Sequence, residues 1–249
     1  MTPSVPFAER WKIIMKLFYL AHAGGTAASI YKWSNGLKSF IEPMPIELSG
    51  HGVRHGERAY LNFRDAVNDI FEIFRERVNN SDYVLVGHSM GATLIYELYY
   101  EIQKNKLKPP IHIFFSGSKP PYTRSENEKI STLDDDLFLN EVKKYGGISD
   151  EMLNSNKFKR IFIPIIREDY RILENYEYID RIDKIECNIS VMYGDQDLSY
   201  EEVKVWKSLA NVCYFKRFSG GHFYIDSNTK EFVRYINNRI VQEYRLKEK

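Results

Sequence analysis

Apolar and polar residues follow each other in blocks along the chain. Six short apolar runs have the length and continuity of strands that are buried on both faces. They cover residues 16–20, 44–48, 83–86, 111–115, 189–193 and 213–218. Apolar residues at helical spacing form a stripe over 63–78, and similar patterns run over 90–103 and 232–241. Strands that alternate with helices predict an α/β protein with a mostly parallel sheet covered on both faces.

One long segment interrupts this alternation. Residues 118–186 show no strand pattern, and their helical patterns lie at about 136–144 and 158–176. A chain of 249 residues is within the range of one α/β domain, so we expect a single domain over 1–249 with a helical insertion at 118–186. The insertion could cover a site, or it could be two more surface helices packed on the sheet.

Composition narrows the classes of partner. The chain has 35 basic and 34 acidic residues, and this balance gives no electrostatic footprint for nucleic acid or for an anionic membrane. No apolar run approaches the roughly 20 residues that cross a bilayer, and the first residues lack a signal peptide pattern. The two cysteines, Cys187 and Cys213, are too few for a disulfide framework, although one bond between them stays open. We therefore expect a cytoplasmic protein that binds neither nucleic acid nor membrane.

The sharpest chemical motif is Gly87-His88-Ser89-Met90-Gly91. It follows the strand at 83–86 directly and opens a helix, which is the strand, turn and helix context of a nucleophile elbow. Glycine is needed on either side of the serine because such a strained turn brings other backbone close. The motif predicts that Ser89 is the nucleophile of an α/β-hydrolase fold. The alternative is a tight turn whose serine caps the helix.

A serine hydroxyl needs a base, and the base needs an acid that orients it. Of six histidines, only His222 follows the last strand, where this fold places its base. The chain order Ser, Asp, His puts the acid before it, and segment 194–197 follows the strand at 189–193. We predict Asp197 as the acid and keep Asp195 as the alternative. The aspartate that is not used would form a turn or cap a helix.

Two backbone N–H groups are needed for the oxyanion of a tetrahedral intermediate. Met90 follows the nucleophile and supplies one by position. Ala23 is predicted to supply the other, because it lies in a loop of small residues after the first strand.

The remaining histidines have weaker chemical interpretations. His51 and His55 are four residues apart near Glu57, but a glycine-rich loop without a third ligand is a poor metal site, so we expect no metal. His22 is predicted to be structural, and two more are predicted to be packed or hydrogen-bonded: His88 and His112.

Taken together, these segments resemble type II, or external, thioesterases that accompany nonribosomal peptide and polyketide synthases. That family has a His-Ala-Gly-Gly stretch with a tryptophan soon after, a Leu-Pro-Gly-Arg-Gly-x-Arg loop, Gly-His-Ser-Met-Gly, Gly-x-x-Asp and Gly-Gly-His-Phe. The counterparts occur here in the same order over nearly the whole chain, at 22–25 with Trp33, 48–54, 87–91, 194–197 and 220–223. The resemblance favours Asp197 over Asp195. Two residues depart from it: Ser49 replaces a proline and His51 an arginine.

The resemblance implies a hydrolase that releases acyl, aminoacyl or short peptidyl groups from the phosphopantetheine arm of carrier proteins. Such an enzyme edits misloaded or stalled synthases of secondary metabolism, and residues 118–186 would be its lid. We expect a monomer without a cofactor of its own. A general carboxylester or lactone hydrolase, an acyltransferase and a binding protein without turnover stay open. Lys157, Lys159 and Arg160 could meet an acidic carrier helix or form a solvated face.

Overall fold

Six parallel strands form one central sheet in the computed structural model, which describes residues 14–123 and 129–247. The strands are β1 (Met15–Leu20), β2 (Ile41–Pro45), β3 (Tyr83–His88), β4 (His112–Ser116), β5 (Asn188–Gly194) and β6 (Cys213–Phe218). Their order across the sheet is β2-β1-β3-β4-β5-β6, and every neighbouring pair is parallel. The predicted parallel α/β architecture is confirmed.

Helices cover both faces of this sheet. They are α1 (Phe63–Val78), α2 (Met90–Lys104), α3 (Asp135–Lys143), α4 (Asp150–Leu153), α5 (Asn156–Glu174), α6 (Tyr200–Val203), α7 (Tyr224–Ser227) and α8 (Thr229–Lys247). Side chains alternate across the sheet, so Leu85 of β3 packs with α1 and α2, whereas Val84 and Val86 pack with α8. Burial on both faces explains why the strands are continuous apolar runs.

The second strand begins earlier than the sequence predicts. The apolar run at 44–48 indicated a strand there, but β2 is Ile41–Pro45. Pro43 and Pro45 have no N–H to donate, and they are tolerated because β2 lies at the edge of the sheet and pairs only with β1. Ile46 and Leu48 lie beyond the strand and are still buried in the core. Their burial produced the apolar signal, although only Ile46 continues the contact with β1, through its N–H to the Tyr19 carbonyl at 3.0 Å.

The 118–186 segment has its own small apolar cluster. Within its described residues there is no strand, and α3 and α5 match the two predicted helical patterns. Phe138 of α3 packs with Ile163 and Ile166 of α5, apart from the two clusters on the sheet faces. The last turn of α5, at Ile172 and Leu173, joins the main core, as does Ile185 near the end of the segment. The segment therefore has a small core of its own and is also attached to the sheet and to the loops at its edge.

Two features relate to the compartment predictions. In residues 14–123 and 129–247, no helix is both long and apolar enough to cross a membrane. The thiols of Cys187 and Cys213 are not bonded to each other.

We predict that truncation of Phe74, a core residue, lowers the stability of the protein. Its ring is fully buried on α1 and meets Phe18 and Tyr83 edge-on, at centroid distances of 4.8 and 5.0 Å. Phe74→Ala would leave a cavity, so we expect the free energy of unfolding to fall by about 3–5 kcal/mol. Denaturant unfolding followed by circular dichroism measures it. Val53→Ala is the control, since Val53 is 93% exposed and its loss should change stability by less than about 0.5 kcal/mol. Equal losses in the two variants would contradict this account of the core.

Candidate active site

Ser89 lies in a strained turn between β3 and α2. Its φ of 57° and ψ of −117° are unfavourable for a residue with a side chain. A Cβ at Gly87 would collide with the carbonyl of Gly91, and a Cβ at Gly91 would collide with the carbonyl of Leu20. Both glycines are therefore required by close backbone approach. The Ser89 side chain makes no capping hydrogen bond to α2, so the turn does not serve to cap the helix.

His222 is paired with Asp197. Its Nδ1 donates to Oδ2 of Asp197 at 2.8 Å, and only about a tenth of each side chain is exposed. With its proton on Nδ1, the neutral ring has its lone pair on Nε2. Asp195 points elsewhere, because its Oδ1 accepts from the backbone N–H of Gly220 at 3.0 Å. The structure thus brings Asp197 to the histidine and gives Asp195 the role of joining two loops.

Gly194 allows those two loops to meet. A Cβ at this position would collide with the carbonyls of Gly220 and Gly221. The loop after β5 and the loop after β6 therefore touch through backbone, and the pair of Asp197 and His222 forms across that contact.

Two further histidines near His222, His22 and His88, are uncharged. Burial, followed by the charges of His222 and His22, lowers the pKa of His88 well below its ordinary value, and Nδ1 of His88 bonds to Ser116 Oγ at 2.9 Å. Burial, followed by the charge of His222, lowers the pKa of His22 to about 4. These are packed or hydrogen-bonded rings, as the sequence predicts. His112 likewise bonds to the hydroxyl of Ser190 at 2.8 Å in the core.

The loop after β1 lies against the start of α2. Gly25 N–H donates to the carbonyl of His22 at 2.8 Å, and Gly24 N–H donates to Oδ2 of Asp169 at 2.7 Å. In the described part of the chain, the N–H groups of Ala23 and Met90 donate no hydrogen bond. The collision of a Gly91 Cβ with the β1 carbonyls shows how close this loop and the α2 start are.

Asp169 is the site residue that the sequence analysis missed. It lies on α5 and is 3% exposed, and its Oδ2 also bonds to Nε2 of His51 at 2.9 Å. The sequence did contain a signal for its burial: Asp169 lies three residues after Ile166 and four before Leu173, on the apolar stripe of the helix.

The structure separates the two histidines that were weighed as metal ligands. His51 is buried against Asp169 and its Nδ1 contacts the carbonyl of Ser49 at 3.0 Å, whereas His55 is exposed. Glu57 pairs with Arg54 instead. Among the described residues, no group of three or more His, Cys, Asp or Glu side chains is arranged to hold a metal ion.

The three cations considered for a carrier surface are in different surroundings. Lys157 is exposed, and Lys159 is paired with Asp136 at 3.2 Å. Arg160 lies at a cavity of about 490 Å³ between α5 and the loop around His51. The positive charge of this face is partly neutralised within the segment.

Comparison with known proteins places the chain in a family. A family model described as a thioesterase domain matches residues 15–240. The gramicidin S biosynthesis protein GrsT of Aneurinibacillus migulanus is 26% identical over 89% of this chain and 87% of its own length. The crystal structure of ClbQ from the colibactin pathway has a TM-score of 0.89 and 30% identity, over 93% of this chain and 99% of that one. The type II thioesterase BorB of the borrelidin cluster has a TM-score of 0.81 and 25% identity, over 95% and 94%.

The family match therefore covers all six strands, the elbow serine and the paired His222. The chain belongs to the thioesterase family and has the α/β-hydrolase fold of its structural neighbours.

Proposed function

We propose that this thioesterase acts on carrier proteins as a type II enzyme. It hydrolyses acyl, aminoacyl or short peptidyl thioesters on the phosphopantetheine arm and so clears misloaded or stalled nonribosomal peptide and polyketide synthases. The observation that carries the proposal is the hydrogen-bonded pair of His222 and Asp197 in a chain that also has an elbow serine, and its relatives, which include GrsT, ClbQ and BorB, support it. A carrier domain is the partner, and it brings the phosphopantetheine, so the enzyme needs no cofactor of its own.

The proposed reaction uses two steps at Ser89. Its Oγ attacks the thioester carbonyl while Nε2 of His222 accepts the hydroxyl proton and Asp197 holds the ring by Nδ1. The N–H groups of Ala23 and Met90 stabilise the oxyanion. The C–S bond then breaks, the sulfur leaves readily because a thiol has a pKa of about 8.5, and Nε2 of His222 gives its proton to the departing sulfur. Neutral His222 then takes a proton from water as the water attacks the acyl-serine, and it returns that proton to Ser89 Oγ when the free acid is released.

We propose that residues 118–186 form a lid over this site. Contacts with the site loops support it: the ring of Tyr145 is 5.4 Å from that of His222, and a Cβ at Gly147 would lie 2.6 Å from the Phe223 ring. Ile166 of α5 packs directly on Gly24. These contacts join the segment to the loops that carry chemistry, which helices packed only on the sheet would not do.

Compartment and assembly follow from the same proposal. Unbonded thiols at Cys187 and Cys213 are typical of a reducing compartment, so a cytoplasmic location is proposed with the function. A monomer suffices, because the serine, acid and base candidates all come from one chain.

Ser89→Ala tests the nucleophile. Carrier domains loaded with different acyl groups are incubated with enzyme, and release is followed by intact mass. Without the hydroxyl no acyl-enzyme forms, so we expect kcat to fall by at least about 1,000-fold. Ser81→Ala, at the other end of β3, is the matched control and should keep wild-type turnover.

The same assay separates the competing activities. Equal release by the wild type and Ser89→Ala would contradict the enzyme assignment. Faster turnover of a simple ester than of an acyl carrier would favour a general ester or lactone hydrolase, and transfer of the acyl group to an added acceptor would favour an acyltransferase. Indifference to the carrier would contradict the editing role.

Two neighbouring aspartates provide a matched test of the acid. Asp197→Asn keeps the shape but removes the charge that favours the Nδ1–H tautomer of His222, and we expect kcat to fall by about 10⁴-fold. Asp195→Asn weakens only a loop hydrogen bond to Gly220, and kcat should stay within about tenfold of the wild type. Steady-state thioester hydrolysis measures both. A larger loss of kcat in Asp195→Asn than in Asp197→Asn would contradict the assignment of Asp197 as the acid.

A further inference from the structure

A carboxylate of the 118–186 segment is bound to the loop that carries Ala23. Asp169 of α5 is 3% exposed, and its Oδ2 accepts the Gly24 N–H at 2.7 Å and the Nε2–H of His51 at 2.9 Å. A buried carboxylate is costly unless it is paired and hydrogen-bonded. Asp169 meets both conditions, with partners that lie 145 and 118 residues away in the chain.

The hydrogen bonds of His51 specify its protonation. Nδ1 faces the carbonyl of Ser49 at 3.0 Å, and a carbonyl can only accept. Nε2 lies 2.9 Å from Oδ2 of Asp169, which also accepts the Gly24 N–H, and as a carboxylate Asp169 accepts both bonds. With both ring nitrogens donating, His51 is in the imidazolium form. His51 and Asp169 thus form a buried ion pair in which both ring nitrogens and Oδ2 of Asp169 are hydrogen-bonded.

These contacts hold both peptide groups that flank the Cα of Ala23. The N–H of Ala23 shares a planar peptide with the carbonyl of His22, and that carbonyl is fixed by the N–H of Gly25 at 2.8 Å. The next peptide ends in the N–H of Gly24, which is fixed by Asp169. Gly24 has a φ of 73° and would otherwise turn easily, since glycine populates many conformations. Ile166, one turn before Asp169, covers it.

We propose that Asp169 and His51 are positioning residues for the oxyanion hole: Asp169 fixes the Gly24 peptide and so aims the Ala23 N–H, and the His51 cation holds Asp169. This inference rests on the proposed role of Ala23. The orientation of the Ala23 N–H is then determined by α5, a helix of the proposed lid, and also by β1, the strand that precedes its loop.

The charged groups around His51 give the pair a pH dependence. Burial lowers the pKa of His51, but the hydrogen bond and charge of Asp169, with the Ser49 carbonyl and the charge of Glu47, raise it above its ordinary value overall. A raised pKa means that the ion pair is fully present below the ordinary value of about 6.5 and is lost as pH rises through the folded value. The other titratable or charged groups at the adjoining cavity are His55, Glu57, Tyr60, Arg160 and Glu168, and His22 faces the pair from the loop after β1.

The test compares His51→Leu, His51→Gln and Asp169→Leu with His55→Gln. His55 lies in the same loop, is exposed and does not touch Asp169, so His55→Gln is the matched control. Two readouts are used: kcat and KM for an acyl carrier, and the rate at which an alkyl fluorophosphonate modifies Ser89. In the second, the Ser89 Oγ–P bond forms, fluoride leaves and the His222 base takes the proton. The phosphonylation rate depends on the oxyanion hole but requires no thioester, and Ser89→Ala is the negative control.

A positioning role predicts a specific pattern of changes in kcat, KM and the phosphonylation rate. Complete loss of an oxyanion donor costs about 100-fold to 1,000-fold in kcat, so a misaimed donor in His51→Leu or Asp169→Leu should cost about 10-fold to 100-fold in kcat and in phosphonylation, with KM within about threefold. His51→Gln keeps an N–H donor for Asp169 that does not titrate. Its rate at neutral pH should stay within a few fold of the wild type, and the alkaline loss of kcat that we expect in the wild type should be absent. His55→Gln should keep the wild-type profile.

Three results would overturn the inference. They are unchanged phosphonylation in the two leucine variants, a loss that matches the unfolded fraction measured by circular dichroism, and a wild-type alkaline limb in His51→Gln. The proposed function fails separately. If the wild type reacts with the fluorophosphonate but releases nothing from carriers, the carrier assignment is wrong, and the phosphonylation rates of the variants still decide the positioning role.

Discussion

The close approach of three pieces of backbone at the elbow is the constraint on which the site depends. Gly87, Gly91 and the carbonyls at the end of β1 come so near each other that no Cβ fits at either glycine. This contact sets Ser89 in its strained turn and holds the loop with Ala23 against the start of α2. A larger residue at 91 would push the loop after β1 away and separate the two candidate oxyanion donors. The strain at Ser89 persists because β3, which ends directly before it, and the neighbouring β4 are fully buried.

The parallel sheet brings the other chemical groups to the same edge. Asp197 follows β5 and His222 follows β6, and these strands are neighbours, so their carboxyl ends lie side by side. Gly194 then lets the two loops touch through backbone. The low pKa of His22 and His88 also matters here, because two more cations beside His222 would oppose the imidazolium that forms during catalysis.

This part of the structure could be predicted from the sequence because its signals are local. The elbow motif, the Gly-x-x-Asp loop and the Gly-Gly-His-Phe loop each follow an apolar run, and a parallel sheet brings the carboxyl ends of its strands to one edge. The pair of His51 and Asp169 could not be predicted, since it joins residues 118 positions apart, and the place of Asp169 on the apolar stripe of α5 indicates a buried acid but not its partner. The start of β2 was misplaced for a related reason: Ile46 and Leu48 are buried by packing in the main core, beyond the end of the strand at Pro45. By contrast, α6 had a local signal that was overlooked, the capping box of Ser199 and Glu202.

The position of Asp169 changes how the 118–186 segment relates to catalysis. Most of α5 packs with α3 in a small separate cluster, so few contacts tie this part of the segment to the rest of the molecule. Among them are Ile166 on Gly24 and the hydrogen bonds of Asp169, and both act on the loop that carries Ala23. The 118–186 segment, proposed above as a lid, is therefore coupled through α5 to the loop that carries the proposed oxyanion donor. In the proposed positioning role the His51 cation holds Asp169, and an arginine at that position, as in the family pattern that this loop resembles, would keep its charge at every physiological pH. With histidine the same contact depends on a proton, so the proposed positioning of the Ala23 N–H is linked to pH through one buried ion pair.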